Sequence, residues 1–202
     1  MAPWLLIPVK SLKTGKSRLS KVLSGRQRQQ LNEFFLRHIV QVAKDYSTED
    51  RTTIITECNS VALLARSLGV RVIKQTGTLG LNQAAEQGVE KLRANGADNI
   101  LIIASDLPTI RASDLAEVAV RGMGSRIVIC PDKSRTGTNA IYLAAETQIR
   151  FQFGPNSFVR HCREAEILGI APVIHFNDRI AMDVDVPDDL LFWRDTSKSE
   201  LR

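Results

Sequence analysis

The first residues suited to chemistry are Lys10, Lys13, Lys16 and Arg18, four cations in a short linker that also holds Gly15. They follow an apolar run, Leu5, Leu6, Ile7 and Val9, that reads as a buried strand. Open α/β sheets bind ligands at the carboxyl ends of their strands, and cations with backbone N–H groups at that edge suit a triphosphate. The plain alternative is a solvated basic loop. Gly15-Lys16-Ser17 does not make a Walker A loop, because the glycine required five residues before Gly15 is replaced by Lys10. A nucleotide bound here is held by another geometry.

Two acidic groups complement these cations. Asp106 directly follows Asn99–Ser105 (NILIIAS), apolar on both faces as a central parallel strand should be, and Pro108 stiffens the turn behind it. A simple turn-forming role for Asp106 is the alternative. The second group is Asp183-Val184-Asp185-Val186-Pro187-Asp188-Asp189. Asp183 and Asp185 share a side if extended, Pro187 opens a helix, and Asp188 and Asp189 then complement its dipole. Asp106 with one of Asp183 and Asp185 would suit Mg²⁺, which takes one or two carboxylates plus phosphate oxygens and water. That requires the two segments to meet in the fold.

Further polar residues punctuate the second half. Thr136-Gly137-Thr138-Asn139 precedes a strand, and Phe153-Gly154-Pro155-Asn156-Ser157 precedes a helix that Ser157 is expected to cap, leaving its first N–H groups for an anion. Turn and cap chemistry alone is the alternative for both. His161, one turn on, faces the same site or packs; His38 lies on an apolar stripe and reads as packed, while Arg160 and Arg163 read as solvated helix charges.

The elements that must position these groups alternate. Helical spacing runs from Leu31 to Val42, Thr52 to Thr56 reads as a strand, Val61 to Leu68 as a helix and Val70 to Lys74 as a strand. A helix spans about Leu81 to Arg93, and Ser113 can cap another that ends near Arg121. Arg126–Cys130, Asn139–Leu143 and Pro172–Phe176 read as strands, Phe158–Leu168 as a helix, and a last short helix begins near Pro187. The order implies an α/β fold, a mostly parallel sheet covered by helices on both faces. One domain over residues 1–202 is expected, with a polar tail fraying from about Thr196.

Composition narrows the class without naming it. Apolar residues make up 44% and charged residues 24%, as in ordinary globular chains. The net charge of +5 favours anionic partners. Cys58, Cys130 and Cys162 are too scattered for a zinc site or disulfide framework and read as reduced thiols. No signal peptide is visible, since Pro3, Pro8 and Lys10 break the first apolar run, and no stretch nears the roughly 20 apolar residues of a membrane span. The expected compartment is the cytoplasm.

Taken in order, IPVKSLKTGKSRL, GLNQA (Gly80–Ala84), ASDLP (Ala104–Pro108), PDKSRTGTNA (Pro131–Ala140), FQFGPNSFVRH (Phe151–His161) and DVDVPDDL (Asp183–Leu190) resemble the guanylyltransferases of coenzyme F420 biosynthesis. These are the 2-phospho-L-lactate guanylyltransferases and the related phosphoenolpyruvate and 3-phospho-D-glycerate guanylyltransferases. The resemblance implies a single Rossmann-like nucleotidyltransferase domain of the glycosyltransferase-A type. It implies transfer of GMP from GTP to the phosphate of a three-carbon acid, with release of pyrophosphate. By the same resemblance Lys10, Lys16 and Arg18 hold the triphosphate, and Gly80, Leu81 and Asn82 lie at the guanine side. Asp106 and Asp185 hold Mg²⁺, with Asp183 the weaker candidate, and Thr138, Gly154 and Ser157 bind the acid. Ser11 stands where the family often has proline, and Val186 replaces the usual threonine of its D-x-D-T-P pattern. Which acid is the acceptor stays open, and because folds of this class often dimerise, a homodimer is an open expectation.

Two rivals are weighed. Molybdenum-cofactor guanylyltransferases and cytidylyltransferases share the fold but typically carry a glycine-rich loop where this chain has Pro8-Val9-Lys10-Ser11. A basic nucleic-acid-binding module needs a positive stripe with stacking aromatics, whereas the cations here are scattered among acids and aromatics are only 5%.

Overall fold

The computed structural model describes residues 2–78 and 80–199. Apolar and β-branched runs form β1 (Trp4–Pro8), β2 (Thr52–Thr56), β3 (Arg71–Lys74) and β4 (Ile100–Ile103). Each is followed by a helix: α1 (Gly25–Tyr46), α2 (Asn59–Ser67), α3 (Leu81–Ala94) and α4 (Ala112–Gly122). The chain continues through β5 (Ile127–Pro131), β6 (Thr138–Leu143), α5 (Ser157–Ile167), β7 (Val173–Ile174) and α6 (Pro187–Ser199).

The strands form one sheet in the order β3-β2-β1-β4-β6-β5-β7. Every pairing is parallel except those of β6, which runs antiparallel to both β4 and β5. The expected mostly parallel sheet is therefore present, with one reversed strand. From β1 the order runs outward to β2 and β3 on one side and to β4 on the other, so the β1–β4 seam is the switch point where such sheets open a crevice.

Helices cover both faces, as the alternation along β1 requires. Leu5 and Ile7 pack with Leu36 and Ile39 of α1, in a core that also holds Val61 of α2 and Leu115 of α4. Leu6 points the other way, into a core with Ala85 and Val89 of α3 and Ala165 of α5. Gly88 permits that contact, since a Cβ there would lie 2.5 Å from the Leu6 side chain. A third cluster, Leu19, Leu23, Phe35, Met182, Val184 and Leu190, joins the segment after β1 to the acidic segment near the other end of the chain. Burial of these side chains is what brings the two charged segments together.

Helix starts differ from expectation for identifiable reasons. α1 begins six residues before Leu31, because Ser24 and Gln27 form a reciprocal capping box with bonds of 3.3 and 2.8 Å. Ser113 does not cap α4; Asp114 instead accepts the Arg111 N–H at 2.8 Å. Ser157 does not cap α5 either. Asn156 takes that place with a left-handed backbone (φ 58°), and Ser157 lies inside the first turn, its hydroxyl engaged elsewhere. The segment expected to fray from about Thr196 continues α6 as far as Ser199, and residues 200–202 lie outside the described residues. Among the described residues no helix is long and apolar enough to cross a membrane, and the three cysteines are free.

Candidate active site

Lys16 is the centre of the crevice. Its Nζ donates to Asp106 Oδ2 and, at 2.8 Å, to Asp185 Oδ1. The Lys16 side chain is only 5% exposed, whereas those of Asp106 and Asp185 are 28% and 47% exposed. Burial alone would favour the neutral amine, but the two carboxylates outweigh it and hold the Lys16 pKa above the ordinary lysine value. The Lys16 backbone is left-handed (φ 58°, ψ 39°), a conformation that costs a non-glycine residue about 1 kcal/mol or more and persists where surrounding contacts enforce it. One such contact is the Asn32 side chain of α1, which donates to Leu12 O at 2.7 Å; a Cβ on Gly15 would lie 2.7 Å from that amide nitrogen.

Asp106 is placed by β4, whose carboxyl end adjoins that of β1. The acidic segment is placed by a set of polar contacts. Asn139 of β6 donates to Ile180 O at 2.9 Å and to Asp183 Oδ1 at 3.2 Å. Asp189 accepts both the Asp185 and Val186 N–H groups at 2.9 Å, the half of a capping box that the third helical residue supplies, while Val186 has no side-chain oxygen for the other half. Upstream, buried Asp114 accepts from Arg179 Nε at 2.8 Å and Asn177 Nδ2 at 3.0 Å, tying the strap before Asp183 to α4. Burial favours neutral Asp114, yet its bonds from Arg179, Asn177 and the Arg111 backbone prevail and hold its pKa below the ordinary value. Asp183 moves the other way: burial, then the charges of Asp106 and Asp185, push it up to about 6 against the Asn139 hydrogen bond.

A cavity of about 370 Å³ opens over this centre, lined by Lys10, Lys16, Leu81, Asp106, Thr138 and Asp185 among others. A second, of about 290 Å³, adjoins it across Pro8, Val9, Lys10 and Leu81, and adds Glu57, Gln75 and Gly80. The fold therefore gathers most of the residues singled out in the sequence. Arg18 is exposed on the turn Ser17–Lys21 and lines neither cavity. Asn82 is committed to structure: it accepts from Phe153 N at 2.7 Å and donates to Phe153 O at 3.3 Å, joining α3 to the segment before α5. Gly80 opens α3 with φ 138°, a backbone open to glycine, and its carbonyl accepts from Gln75 at 3.0 Å.

Thr138 reaches the cavity from the first position of β6. Behind it Ser157 and His161, both buried, bond to its hydroxyl, at 3.3 and 3.0 Å. Gly154 is exposed, with φ 122°, three residues before Ser157. Burial pushes His161 down to about 4, so its ring is neutral at working pH. Asp114 and Arg179 are the contributors that sequence reasoning missed, and Asn139, read there only as part of a polar turn before a strand, braces the acidic segment. Asn139 carried a faint signal, an amide at the start of an apolar strand; Asp114 and Arg179 carried none, since their pairing spans 65 residues.

The fold is of the class seen in solved nucleotidyltransferases. A nucleotidyl transferase from Methanothermobacter superposes with a TM-score of 0.66 at 17% identity, over 96% of this chain and 97% of that one. Within that class, the family model described as guanylyl transferase CofC like matches residues 4–193, and the chain belongs to that family. A phosphoenolpyruvate guanylyltransferase of Rubrobacter xylanophilus is 35% identical over 94% of this chain and 92% of its own. A 2-phospho-L-lactate guanylyltransferase of Methanobrevibacter smithii is 30% identical over 92% of this chain and 80% of its own.

Proposed function

We propose that this protein, acting as one domain in the cytoplasm, transfers GMP from GTP to the phosphate of a phosphorylated three-carbon acid in coenzyme F420 biosynthesis. The observation that carries the reading is the meeting of Lys16, Asp106 and Asp185 at the switch point of a chain in the guanylyltransferase family. Phosphoenolpyruvate is the first acid to test, because the 35% identical relative is named for it.

Lys10 and Lys16, which line the cavity, hold the donor triphosphate, while Arg18 stays on the exposed turn outside both cavities; Gly80 and Leu81 border the guanine side, with Asn82 bracing them through Phe153. Thr138, Gly154 and Ser157 serve the acid. Its phosphate is already an anionic nucleophile, so one of its oxygens bonds to the α-phosphorus of GTP while the bond from that phosphorus to the bridging oxygen of pyrophosphate breaks. No general base is needed. The residues must bring two anions together and stabilise charge on the leaving group, which lysine and arginine clamps do.

Asp106 and Asp185 are the residues that would hold Mg²⁺. Lys16 Nζ bonded to both carboxylates supports a space sized for one cation between them. Among the described residues no cluster of three or more metal-ligating side chains is found, so the protein would supply two oxygens, within the habit of Mg²⁺. Asp183 is the weaker candidate because Asn139 already engages its Oδ1. Bound there, the ion would neutralise phosphate charge.

Pyrophosphate release from GTP with each acid in turn tests the reading. Turnover with GTP and loss of it in excess chelator are expected; equal turnover with CTP, or indifference to chelator, overturns it. Lys16→Ala is expected to weaken GTP binding about 10- to 100-fold, the usual worth of a charge-assisted hydrogen bond, as measured by titration calorimetry. A shift in the KM of the acid alone would instead move Lys16 to the acceptor side.

A further inference from the structure

His161 makes two directional contacts that the proposed reaction leaves unused. Its side chain is fully buried (0% exposed). Nε2 lies 2.9 Å from the backbone N–H of Gln152, which can only donate, so Nε2 is the acceptor and the ring proton is on Nδ1. Nδ1 lies 3.0 Å from Thr138 Oγ1 and donates to it. The Ser157 hydroxyl donates to the same oxygen at 3.3 Å. The Phe153 ring stands edge-on to the imidazole with centroids 4.9 Å apart, which fixes its plane.

A hydroxyl has one proton and two lone pairs. On Thr138 both lone pairs are filled, by His161 and Ser157, and only the proton remains to be directed. Thr138 lines the larger cavity beside Asp106 and Lys16. We infer that His161 is a positioning residue: through Nδ1–H it makes Thr138 an obligate donor into the cavity, where the hydroxyl receives an anionic oxygen of the phosphorylated acid. The identity of the acid rests on the guanylyltransferase reading; the direction of the hydroxyl does not. A donor-only hydroxyl favours acceptor-only groups, carboxylate or phosphate, and bonds them more strongly than a neutral partner. Ser157, in this arrangement, acts through Thr138.

Two measurements test the inference. Histidine-selective ¹⁵N labelling of the wild type gives three ring systems, and the one lost in His161→Asn should carry its proton on Nδ1. A proton on Nε2 overturns the inference without any kinetics. In the kinetic arm, His161→Gln offers an acceptor near the Nε2 position and no donor to Thr138, whereas His161→Asn keeps an amide donor near Nδ1. His161→Gln and Thr138→Val should each raise the KM of the acid about tenfold with the KM for GTP unchanged. His161→Asn should restore it to within about threefold, and the double variant Thr138→Val/His161→Gln should be no worse than Thr138→Val alone. Additive losses, or equal shifts in both KM values, overturn it. Competition by inorganic phosphate and by pyruvate assigns the received oxygen, since only the one that Thr138 holds loses affinity in Thr138→Val. If the wild type turns over no acid, the guanylyltransferase reading falls while the ring-proton result stands. If His161→Gln does not fold, Thr138→Val and the labelled wild type decide.

Discussion

Asp106→Asn is expected to lower guanylyl transfer by at least about 10²-fold, with little change in the thermal unfolding midpoint. The side chain stands at the tip of β4, 28% exposed and outside the apolar clusters, so its charge contributes little to the core. Asparagine keeps the shape and removes the charge. The loss falls on whatever cation the carboxylate holds against the phosphates, for which about 3 kcal/mol of transition-state stabilisation is a conservative figure. Lys16 keeps Asp185 as a partner, so the basic segment stays anchored. Initial rates of pyrophosphate release, recorded beside thermal unfolding, separate the effects. A folded variant with near-normal rates would reduce Asp106 to a turn former, and an unfolded one would make it structural.

The second large effect is on stability in acid. The folded pKa of His161 is lowered from 6.5 to about 4 by burial. Above pH 6.5 the imidazole is neutral whether the chain is folded or not, and stability is independent of it. As pH falls below 6.5 the unfolded chain takes up a proton that the folded chain refuses until about pH 4, so stability is lost across that window. The shift corresponds to about 3 kcal/mol in total, most of it reached by pH 4.5. Asp183 acts in the opposite direction over nearly the same range, because its pKa is raised to about 6 and the folded state gains protons first. The wild-type curve alone can therefore look flat. The difference in denaturation free energy between wild type and His161→Asn cancels the Asp183 contribution and should shrink by about 2–3 kcal/mol between pH 7 and pH 4.5. A difference that stays constant with pH would mean that His161 is hydrated or charged in the folded protein.

Local signals carried most of the architecture. Continuous apolar runs marked β1 and β4, and helical spacing marked α1 and α3, because burial imposes those periods on the residues themselves. The reversed direction of β6 was not legible, since an apolar strand reads the same in both directions and its polarity is set by its neighbours. Charge and position singled out Lys16, Asp106 and Asp185, while their meeting depended on the cluster of Leu19, Phe35 and Val184, a contact across more than 160 residues. Ser157 shows the limit of local chemistry. A serine before a helical pattern reads as a cap, yet this one turns inward and donates to the Thr138 hydroxyl, a partner 19 residues away that local sequence does not announce. The strap held by Asp114 and Arg179 left no trace in spacing for the same reason: pairs joined by tertiary packing have no period.

The single reversed strand has a consequence for how acceptor preference can change over descent. Because β6 runs against β4, its first residue, Thr138, emerges at the edge where the parallel strands finish. On the proposed roles, one end of the crevice is furnished by the turn after β1 and the other by the entry to β6 and the start of α5. The two come from separate stretches of polypeptide and can drift independently. Relatives at 35% and 30% identity bear names that differ in the acid and agree in the guanylyl group, a pattern that such a division of the crevice accommodates.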